Sequence, residues 1–340
     1  MAVSDVIDIA LASDEGYKNG LLVTAWSIAY HSDRNSVLRF NVLDGGIADE
    51  TWTLFCEKVG AVRPNSIFRR FYVDQAAFGN FPSWNGGNRL TYARLLLPSL
   101  LHDSEYVIYC DADFLWLDDV SKLWELRRPD AVCQSVRDGT PDVIRKEGAW
   151  YAGHGINIDM ENYFCAGLIF LNLELCRKHG VVEECFSFLN RYPDVQFPDQ
   201  SALNAVLRNI VLPSGIAGLK LLPEKWQRLS YSVGPNDVSS GCAIHYAGDA
   251  PWGRKSWYQS LPDSVMLWFQ AYGRIFGCGK WPALMQFYSL GKIVYLRSVF
   301  LALTTPVFKS VLYWYLKNIR HASIIDRLKS RNRRLGFSLK

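Results

Sequence analysis

Two aspartates, Asp111 and Asp113, stand one residue apart at the end of an apolar run and have the residue types and spacing to do chemistry. The preceding segment, Tyr106–Cys110, is rich in β-branched and aromatic residues and predicts a buried strand. In open α/β sheets, ligands bind at the carboxyl ends of the strands. Two carboxylates this close repel each other unless a positive group lies between them, and a hard divalent cation that also holds substrate phosphates is the simplest candidate. The sequence therefore predicts metal-dependent chemistry at Asp111-Ala112-Asp113.

Several other polar or small residues follow predicted strands or open predicted helices, and they strengthen this signal. An Asp-x-Asp pair alone is weak evidence for a metal site, because such pairs occur by chance on protein surfaces. Four of the companion residues also have a purely structural interpretation: Asp14 and Asp199 could cap helices, Arg94 could pair with an acid, and His245 could be a core histidine. The companions are Ala12, Asp14 and Tyr17 after the first strand, Arg94 on a helix, Cys165-Ala166-Gly167 opening a strand, Asp199-Gln200 opening a helix, and His245 with Gly248 after the last strand.

The elements that must position these residues alternate between strand and helix for most of the chain. This alternation predicts an α/β fold with a parallel sheet and helices on its faces. No internal repeat or low-complexity segment interrupts it. The predicted strands are residues 6–12, 37–43, 67–73, 106–110, 131–136, 164–172 and 242–246, and the predicted helices are residues 16–31, 49–59, 91–101, 175–191 and 200–207.

Charge is distributed unevenly between the body of the chain and its end. Residues 280–340 hold 12 Lys and Arg against the single acid Asp326, and because the whole chain is +4, the remainder is −7. The same segment is rich in aromatic residues, which is typical of helices that lie on an anionic membrane surface. We therefore expect a catalytic domain at 1–262 and a helical, basic, membrane-associating region at 263–340. A helical cap with a solvated basic tail is the alternative.

Composition limits the class and the compartment. The chain is 49% hydrophobic and 14% aromatic, which excludes intrinsic disorder. Its first residues lack the basic and apolar regions of a signal peptide, so we expect a cytoplasmic protein, peripheral at the cytoplasmic face of the inner membrane. The eight cysteines are scattered without a CxxC pair and are predicted to be reduced. We expect no nucleic-acid partner.

Taken in this order along the chain, these segments resemble glycosyltransferase family 8, over roughly residues 6–260. That family includes bacterial lipopolysaccharide galactosyl- and glucosyltransferases and relatives of glycogenin. The resemblance implies a GT-A fold, with a mixed, mainly parallel sheet and helices on both faces. It also implies a UDP-sugar donor (UDP-galactose or UDP-glucose favoured), Mn²⁺, and retention of anomeric configuration. The implied acceptor is a saccharide, such as lipopolysaccharide or another lipid-linked, cell-surface glycan.

The resemblance also assigns roles to individual residues. Asp111, Asp113 and His245 would hold Mn²⁺, or Mg²⁺, since two carboxylates and an imidazole suit the former. Asp14 would accept from the uracil N–H, and Tyr17 could stack on the base. The catalytic pair near the anomeric carbon would be Asp199 and Gln200, with Asp138 a weaker candidate for the sugar or acceptor. The full set of donor-binding residues would be Ala12, Asp14, Tyr17, Arg94, Asp111, Ala112, Asp113, Cys165, Ala166 and Gly248.

Two departures from the family pattern leave an alternative open. Cys165 stands where the family usually has an Asn that touches the donor sugar, and a Lys is missing before Pro251-Trp252. Arg254 or Lys255 could replace that Lys. A donor-shifted or non-catalytic relative that binds sugar nucleotides is therefore the second hypothesis.

Two other enzyme classes fit the sequence less well. A haloacid-dehalogenase-type phosphatase needs Thr or Val where Leu115 stands. A nicotinamide dehydrogenase needs a G-x-G-x-x-G after the first strand, which this sequence lacks.

Overall fold

A seven-stranded mixed sheet organises the chain. The computed structural model describes residues 6–83, 88–212, 218–248, 250–253 and 263–287. The strand order is β3-β2-β1-β4-β7-β6-β8, and six of these strands run parallel while β7 runs against its neighbours β4 and β6. The strands are β1 Val6–Ser13, β2 Val37–Asp44, β3 Ile67–Tyr72, β4 Tyr106–Cys110, β5 Phe114–Trp116, β6 Cys133–Arg137, β7 Phe164–Asn172, β8 Leu219–Leu221, β9 Arg228–Leu229 and β10 Ala243–His245.

Helices cover both faces of this sheet, and each face has its own apolar core. Strand β4 is buried along its whole length, as expected for a central strand whose run of apolar residues does not alternate with polar ones. The mixed α/β architecture predicted from the sequence is confirmed. The helices are α1 Lys18–His31, α2 Asp49–Val62, α3 Leu97–Leu100, α4 Val120–Trp124, α5 Pro141–Gly153, α6 Leu173–Lys178, α7 Val181–Arg191, α8 Pro198–Asn209, α9 Pro235–Ser240, α10 Asp263–Ile275 and α11 Lys280–Phe287.

Three predicted helices differ from the observed ones for local reasons. The segment predicted at 91–101 is a 3-10 helix, Leu90–Leu96, followed by the short α3, where Pro98 cannot donate a backbone hydrogen bond. The segment predicted at 175–191 is two helices, because Gly180 adopts φ +59° and ends α6. Helix α8 has Phe197 at its N-cap, so the prediction that Asp199 caps this helix is wrong.

A small second sheet, with strand order β5-β10-β9, packs beside the large one. Strand β10 runs antiparallel to β5 and parallel to β9. Because β5 follows the two aspartates directly and β10 ends at His245, this pairing brings the two ends of the predicted metal set together across more than 130 residues of sequence.

The last described helices, α10 and α11, pack against the body of the fold. Trp268 and Phe269 are fully buried in the same core as Trp26 of α1. The boundary predicted at 262/263 remains a prediction, as does membrane association. Within the described residues, no helix is both long and apolar enough to cross a membrane. Residues 288–340, which carry most of the predicted basic tail, lie outside the described part of the chain.

Candidate active site

One edge of the large sheet collects most of the predicted site residues. Asp14, Asp111 and Asp138 directly follow the last residues of β1, β4 and β6. Strand β7 runs the other way, so its first residues, Phe164 to Gly167, reach the same edge. Together they line a cleft of about 740 Å³. The sites predicted from separate segments therefore meet in one place, as the topology of open α/β sheets requires.

Asp111, Asp113 and His245 form a cluster whose ligand atoms lie within 4.8 Å of one another. The His245 Nε2 is 3.3 Å from an Asp113 carboxylate oxygen and 4.0 Å from one of Asp111. The imidazole stacks on Phe114 with a centroid distance of 4.4 Å, which fixes the ring plane. The ring is also buried and paired with Asp113, so the interpretation of His245 as a core histidine and its role as a metal ligand both remain predictions.

Burial and the neighbouring carboxylates shift the pKa values of Asp111 and His245 upward. Burial raises the pKa of Asp111 against the opposing effect of Arg94, and repulsion from Asp113 raises it further. Burial would lower the pKa of His245, but the Asp113 carboxylate outweighs it and raises that pKa well above its ordinary value. Both shifts indicate that the cluster takes up positive charge readily.

The residues present fit a divalent cation in two further respects. Asp113 Oδ1 is buried without a hydrogen-bond partner, and so is Gln227 Oε1. Gln227 Nε2 lies 3.1 Å from His245 Nδ1. Turning the Gln227 amide over would place its Oε1 against a protonated Nδ1 of His245, which satisfies the unpartnered oxygen. The Nε2 of His245 would then be unprotonated and free to act as a metal ligand. Two carboxylates and one imidazole suit Mn²⁺, and Mg²⁺ less closely.

Arg94 holds the acidic side of the cleft together from a buried position. Its guanidinium pairs with Asp111 at 2.7 Å and with Asp199 at 3.1 Å, and donates to the Ala166 carbonyl. The two carboxylates raise the pKa of Arg94 against the effect of burial, so it stays charged. The other Asp199 oxygen accepts from the Thr91 hydroxyl. Arg94 and Thr91 therefore each contact one carboxylate oxygen of Asp199.

Gln200 lies beside this group with its amide orientation fixed. Its Oε1 accepts from the Ala166 N–H at 2.9 Å, while Nε2 donates to Asp138 at 3.1 Å and to the Tyr163 hydroxyl at 3.2 Å. The other Asp138 oxygen accepts from the Thr140 N–H at 2.9 Å. Cys165, a free and partly exposed thiol, precedes Ala166 in the wall of the cleft. This side presents carboxylate and amide groups suited to hydroxyl-rich ligands.

At the end of β1, Asp14 and Tyr17 occupy the opposite part of the cleft. Asp14 accepts from the Tyr17 N–H at 3.1 Å, so the helix-capping interpretation of Asp14 is confirmed. The Tyr17 ring is 42% exposed and packs edge-to-face on Trp252 at 5.5 Å. Burial and the nearby Asp113 raise the pKa of Tyr17 to about 12. Ala12 also lines this end, and Gly248 lines the cleft with φ +76°.

Several cleft residues had no sequence signal. Gln227 supports His245, and Tyr109 donates its hydroxyl to Asp111 at 2.9 Å. Tyr231 stands at the cleft with 70% of its surface exposed, on a 3-10 helix that follows β9. Only Tyr109 could have been found from the sequence, since its neighbours in β4 already pointed to the site.

The comparisons with known proteins agree with this geometry. The family model described as "Glycosyl transferase family 8" matches residues 8–255, which is most of the chain. The chain belongs to glycosyltransferase family 8. The family match spans every site residue named above, from Ala12 to Trp252.

Two curated proteins and one solved structure illustrate this membership. General stress protein A of Bacillus subtilis (strain 168) is 27% identical over 213 residues, covering 61% of this chain and 71% of that protein. Lipopolysaccharide 1,2-glucosyltransferase of Escherichia coli (strain K12) is 24% identical over 270 residues, 76% of each. The galactosyltransferase LgtC, solved with donor and acceptor sugar analogs, is 26% identical with a TM-score of 0.63, covering 79% of this chain and 96% of that one. As a family 8 member with a GT-A fold, the chain is assigned to glycosyl transfer.

Proposed function

We propose that this chain transfers a hexose from a UDP-sugar to a saccharide acceptor, with retention of configuration at the anomeric carbon. A divalent cation, Mn²⁺ or Mg²⁺, would be held by Asp111, Asp113 and His245. The observation that carries the proposal is the convergence of these three side chains in one cleft, beside a buried arginine.

The charges in the cleft support a metal-dependent diphosphate donor. Among the described residues, the arginines that line the cleft are already paired with carboxylates: Arg94 as above, Arg137 with Glu161, and Arg228 with Glu224 and Asp237. A diphosphate would therefore depend on a bound cation for charge compensation. When bound, that cation would stabilise the negative charge that develops on the departing UDP.

The donor would lie along the sheet edge, with the nucleotide at Asp14 and Tyr17 and the sugar at Asp138 and Gln200. Tyr17 offers an exposed ring for stacking on a base, and Asp14 retains one carboxylate oxygen that Tyr17 does not use. Asp138 and Gln200 supply acceptor and amide groups for sugar hydroxyls. Cys165 replaces a polar side chain on this side, so it would shift the choice of hexose.

A front-face displacement accounts for retention without a covalent intermediate. The bond between the anomeric carbon and the leaving phosphate oxygen breaks as the acceptor hydroxyl oxygen bonds to that carbon on the same face. The hydroxyl proton passes to the departing phosphate oxygen, and UDP leaves. Asp199 is poorly suited as a covalent nucleophile, because Arg94 and Thr91 occupy both of its oxygens.

The acceptor is proposed to be a saccharide of a lipid-linked or cell-surface glycan. The exposed Tyr231 ring offers a flat apolar face at the cleft against which a sugar ring can pack. The E. coli relative is named a lipopolysaccharide glucosyltransferase. The basic segment 280–340 would hold the enzyme on the anionic cytoplasmic face of the inner membrane, which suits a lipid-linked acceptor.

Sugar transfer by three variants tests this function. UDP release from UDP-glucose and UDP-galactose is measured with Mn²⁺ and with EDTA, followed by analysis of the product anomer. Asp111→Asn and Asp113→Asn should each reduce the Mn²⁺-dependent rate by about 100-fold or more, since ligand loss exceeds the 10- to 100-fold of supporting residues. Asp103→Asn, which removes an exposed carboxylate paired with Arg69, is the control and should stay near wild type.

The outcomes separate the hypotheses. Full activity in either site variant, or a product of inverted configuration, contradicts the proposal. Binding of UDP-sugars by the wild type without UDP release or transfer to any saccharide supports instead the non-catalytic relative.

A further inference from the structure

Glu147 is a fully buried carboxylate that neither the metal cluster nor the donor pocket uses. It lies on α5 and is 0% exposed. One oxygen, Oε2, accepts from the Tyr163 hydroxyl at 2.8 Å and from the Ser201 hydroxyl at 2.7 Å, while Oε1 has no partner. A buried carboxylate is costly unless its interactions compensate, so its place beneath the cleft calls for an explanation.

Hydrogen bonds connect this carboxylate to the cleft through Tyr163 and Gln200. Tyr163 has one hydroxyl proton, and donating it to Glu147 leaves the phenol oxygen as an acceptor. That oxygen then accepts from Gln200 Nε2 at 3.2 Å. Glu147 thereby reinforces the orientation that the Ala166 N–H and the Asp138 carboxylate also require, with Gln200 Nε2 facing Tyr163 and Asp138 and its Oε1 facing the Ala166 N–H. The reversed amide would set oxygen against the Asp138 carboxylate and nitrogen against the Ala166 N–H.

We propose that the Tyr163 hydroxyl, oriented by Glu147, is a positioning group for the sugar-binding side of the cleft, and that it holds the Gln200 amide in place and, with it, the Asp138 carboxylate. This inference rests on the proposed function. Two hydrogen bonds, from Gln200 to Tyr163 and from Tyr163 to Glu147, connect the cleft wall to helix α5. Linked buried hydrogen bonds hold a group more tightly than one contact would.

Two tyrosines of the same cluster provide a matched test. Tyr163 and Tyr151 are both 1% exposed, and their ring centroids are 6.4 Å apart. Tyr151 donates to the Ser201 carbonyl at 2.6 Å and has no contact with the Gln200 side chain among the described hydrogen bonds. Each Tyr→Phe change therefore removes one buried hydroxyl, but only Tyr163→Phe cuts the link to Gln200.

The experiment compares wild type, Tyr163→Phe and Tyr151→Phe with Mn²⁺ present. Tyr163→Phe should lower kcat/KM for the UDP-hexose by about 10-fold, the order expected for a lost buried hydrogen bond, while the Kd for UDP without sugar stays unchanged. Tyr151→Phe should stay within about 2-fold of wild type in both. Equal kcat/KM in the two variants, or a matching loss of UDP affinity in Tyr163→Phe, overturns the proposal, because a structural role would affect both tyrosines or both ligands.

Failure of the proposed function gives a different result. If the wild type neither transfers nor hydrolyses any UDP-hexose, the function fails, and the crystal structure of Tyr163→Phe then decides the positioning role. Rotation of the Gln200 amide away from Asp138 supports the role. An amide that keeps its contacts with Asp138 and the Ala166 N–H overturns it.

Discussion

A single methyl group at Gly167 should disable the metal cluster. Gly167 lies in β7 against His245, and a Cβ added there would lie 2.5 Å from the imidazole Cε1 and 3.1 Å from Gln227 Nε2. Ordinary contact begins at 3.4 Å. The ring must therefore move by about 1 Å, or the strand must, and an error of this size in a reacting geometry can cost about 100-fold in rate.

Neither the ring nor the strand can move without consequence. Phe114 stacks on the His245 ring, and Gln227 contacts its Nδ1, so the imidazole is held on two sides. The Gly167 carbonyl accepts from the Asp111 N–H at 2.8 Å, so a shift of β7 would displace Asp111 instead. We expect Gly167→Ala to destabilise the fold by about 1–3 kcal/mol, as overpacked cores do, without unfolding it.

Rates of UDP release against Mn²⁺ concentration measure this effect. Gly167→Ala should need more Mn²⁺ for half-maximal rate and should be about 100-fold slower at saturation. Gly153→Ala is the matched control, since a Cβ there meets nothing within 4 Å. If both alanine variants give the same Mn²⁺ curve, the assignment of His245 to the metal cluster is refuted.

Three other changes test the structural role of Arg94, the acceptor contact of Tyr231 and the membrane role of the basic tail. Arg94→Lys keeps the charge but cannot reach Asp111, Asp199 and the Ala166 carbonyl together, so thermal and urea unfolding should show a loss of about 3–5 kcal/mol; an unchanged midpoint contradicts the role of Arg94. Tyr231→Ala should raise the acceptor KM about 10-fold while donor hydrolysis is unchanged, and Tyr231→Phe should restore it; equal effects on hydrolysis would place Tyr231 outside the acceptor site. Truncation after Phe287 removes a net +10 and should abolish co-sedimentation with anionic vesicles while sparing UDP release; a truncated chain that still sediments contradicts membrane association through the tail.

The sequence was sufficient to predict what local patterns control. The buried run in β4 predicted both the strand and the position of Asp111 at its carboxyl end, because a central strand needs apolar residues on both faces. Asp14 likewise followed from the end of β1. The break at Gly180 was missed because an isolated glycine inside an apolar helical pattern is tolerated often enough to be ambiguous.

Features that depend on distant contacts could not be predicted in the same way. Asp199 has the residue type and position of a helix cap, yet it pairs with Arg94 from another element, so tertiary contact overrode the local preference. Helix α5 was missed entirely, and with it Glu147, whose partners lie 16 and 54 residues away. The support of His245 by Gln227 depends on pairing between β9 and β10, short strands with weak patterns of their own.

Measurement of bound Mn²⁺ is the most direct test of the metal site at Asp111, Asp113 and His245. Titration of Mn²⁺ into the wild type with UDP present, followed by electron paramagnetic resonance of the free ion, should show one bound Mn²⁺ per chain. Asp113→Asn should lose most of this binding, since Asp113 Oδ1 is buried beside His245 Nε2 and accepts no hydrogen bond among the described residues. Asp103→Asn should bind as the wild type does. Equal Mn²⁺ binding by wild type and Asp113→Asn would contradict the assignment of Asp111, Asp113 and His245 as the metal site.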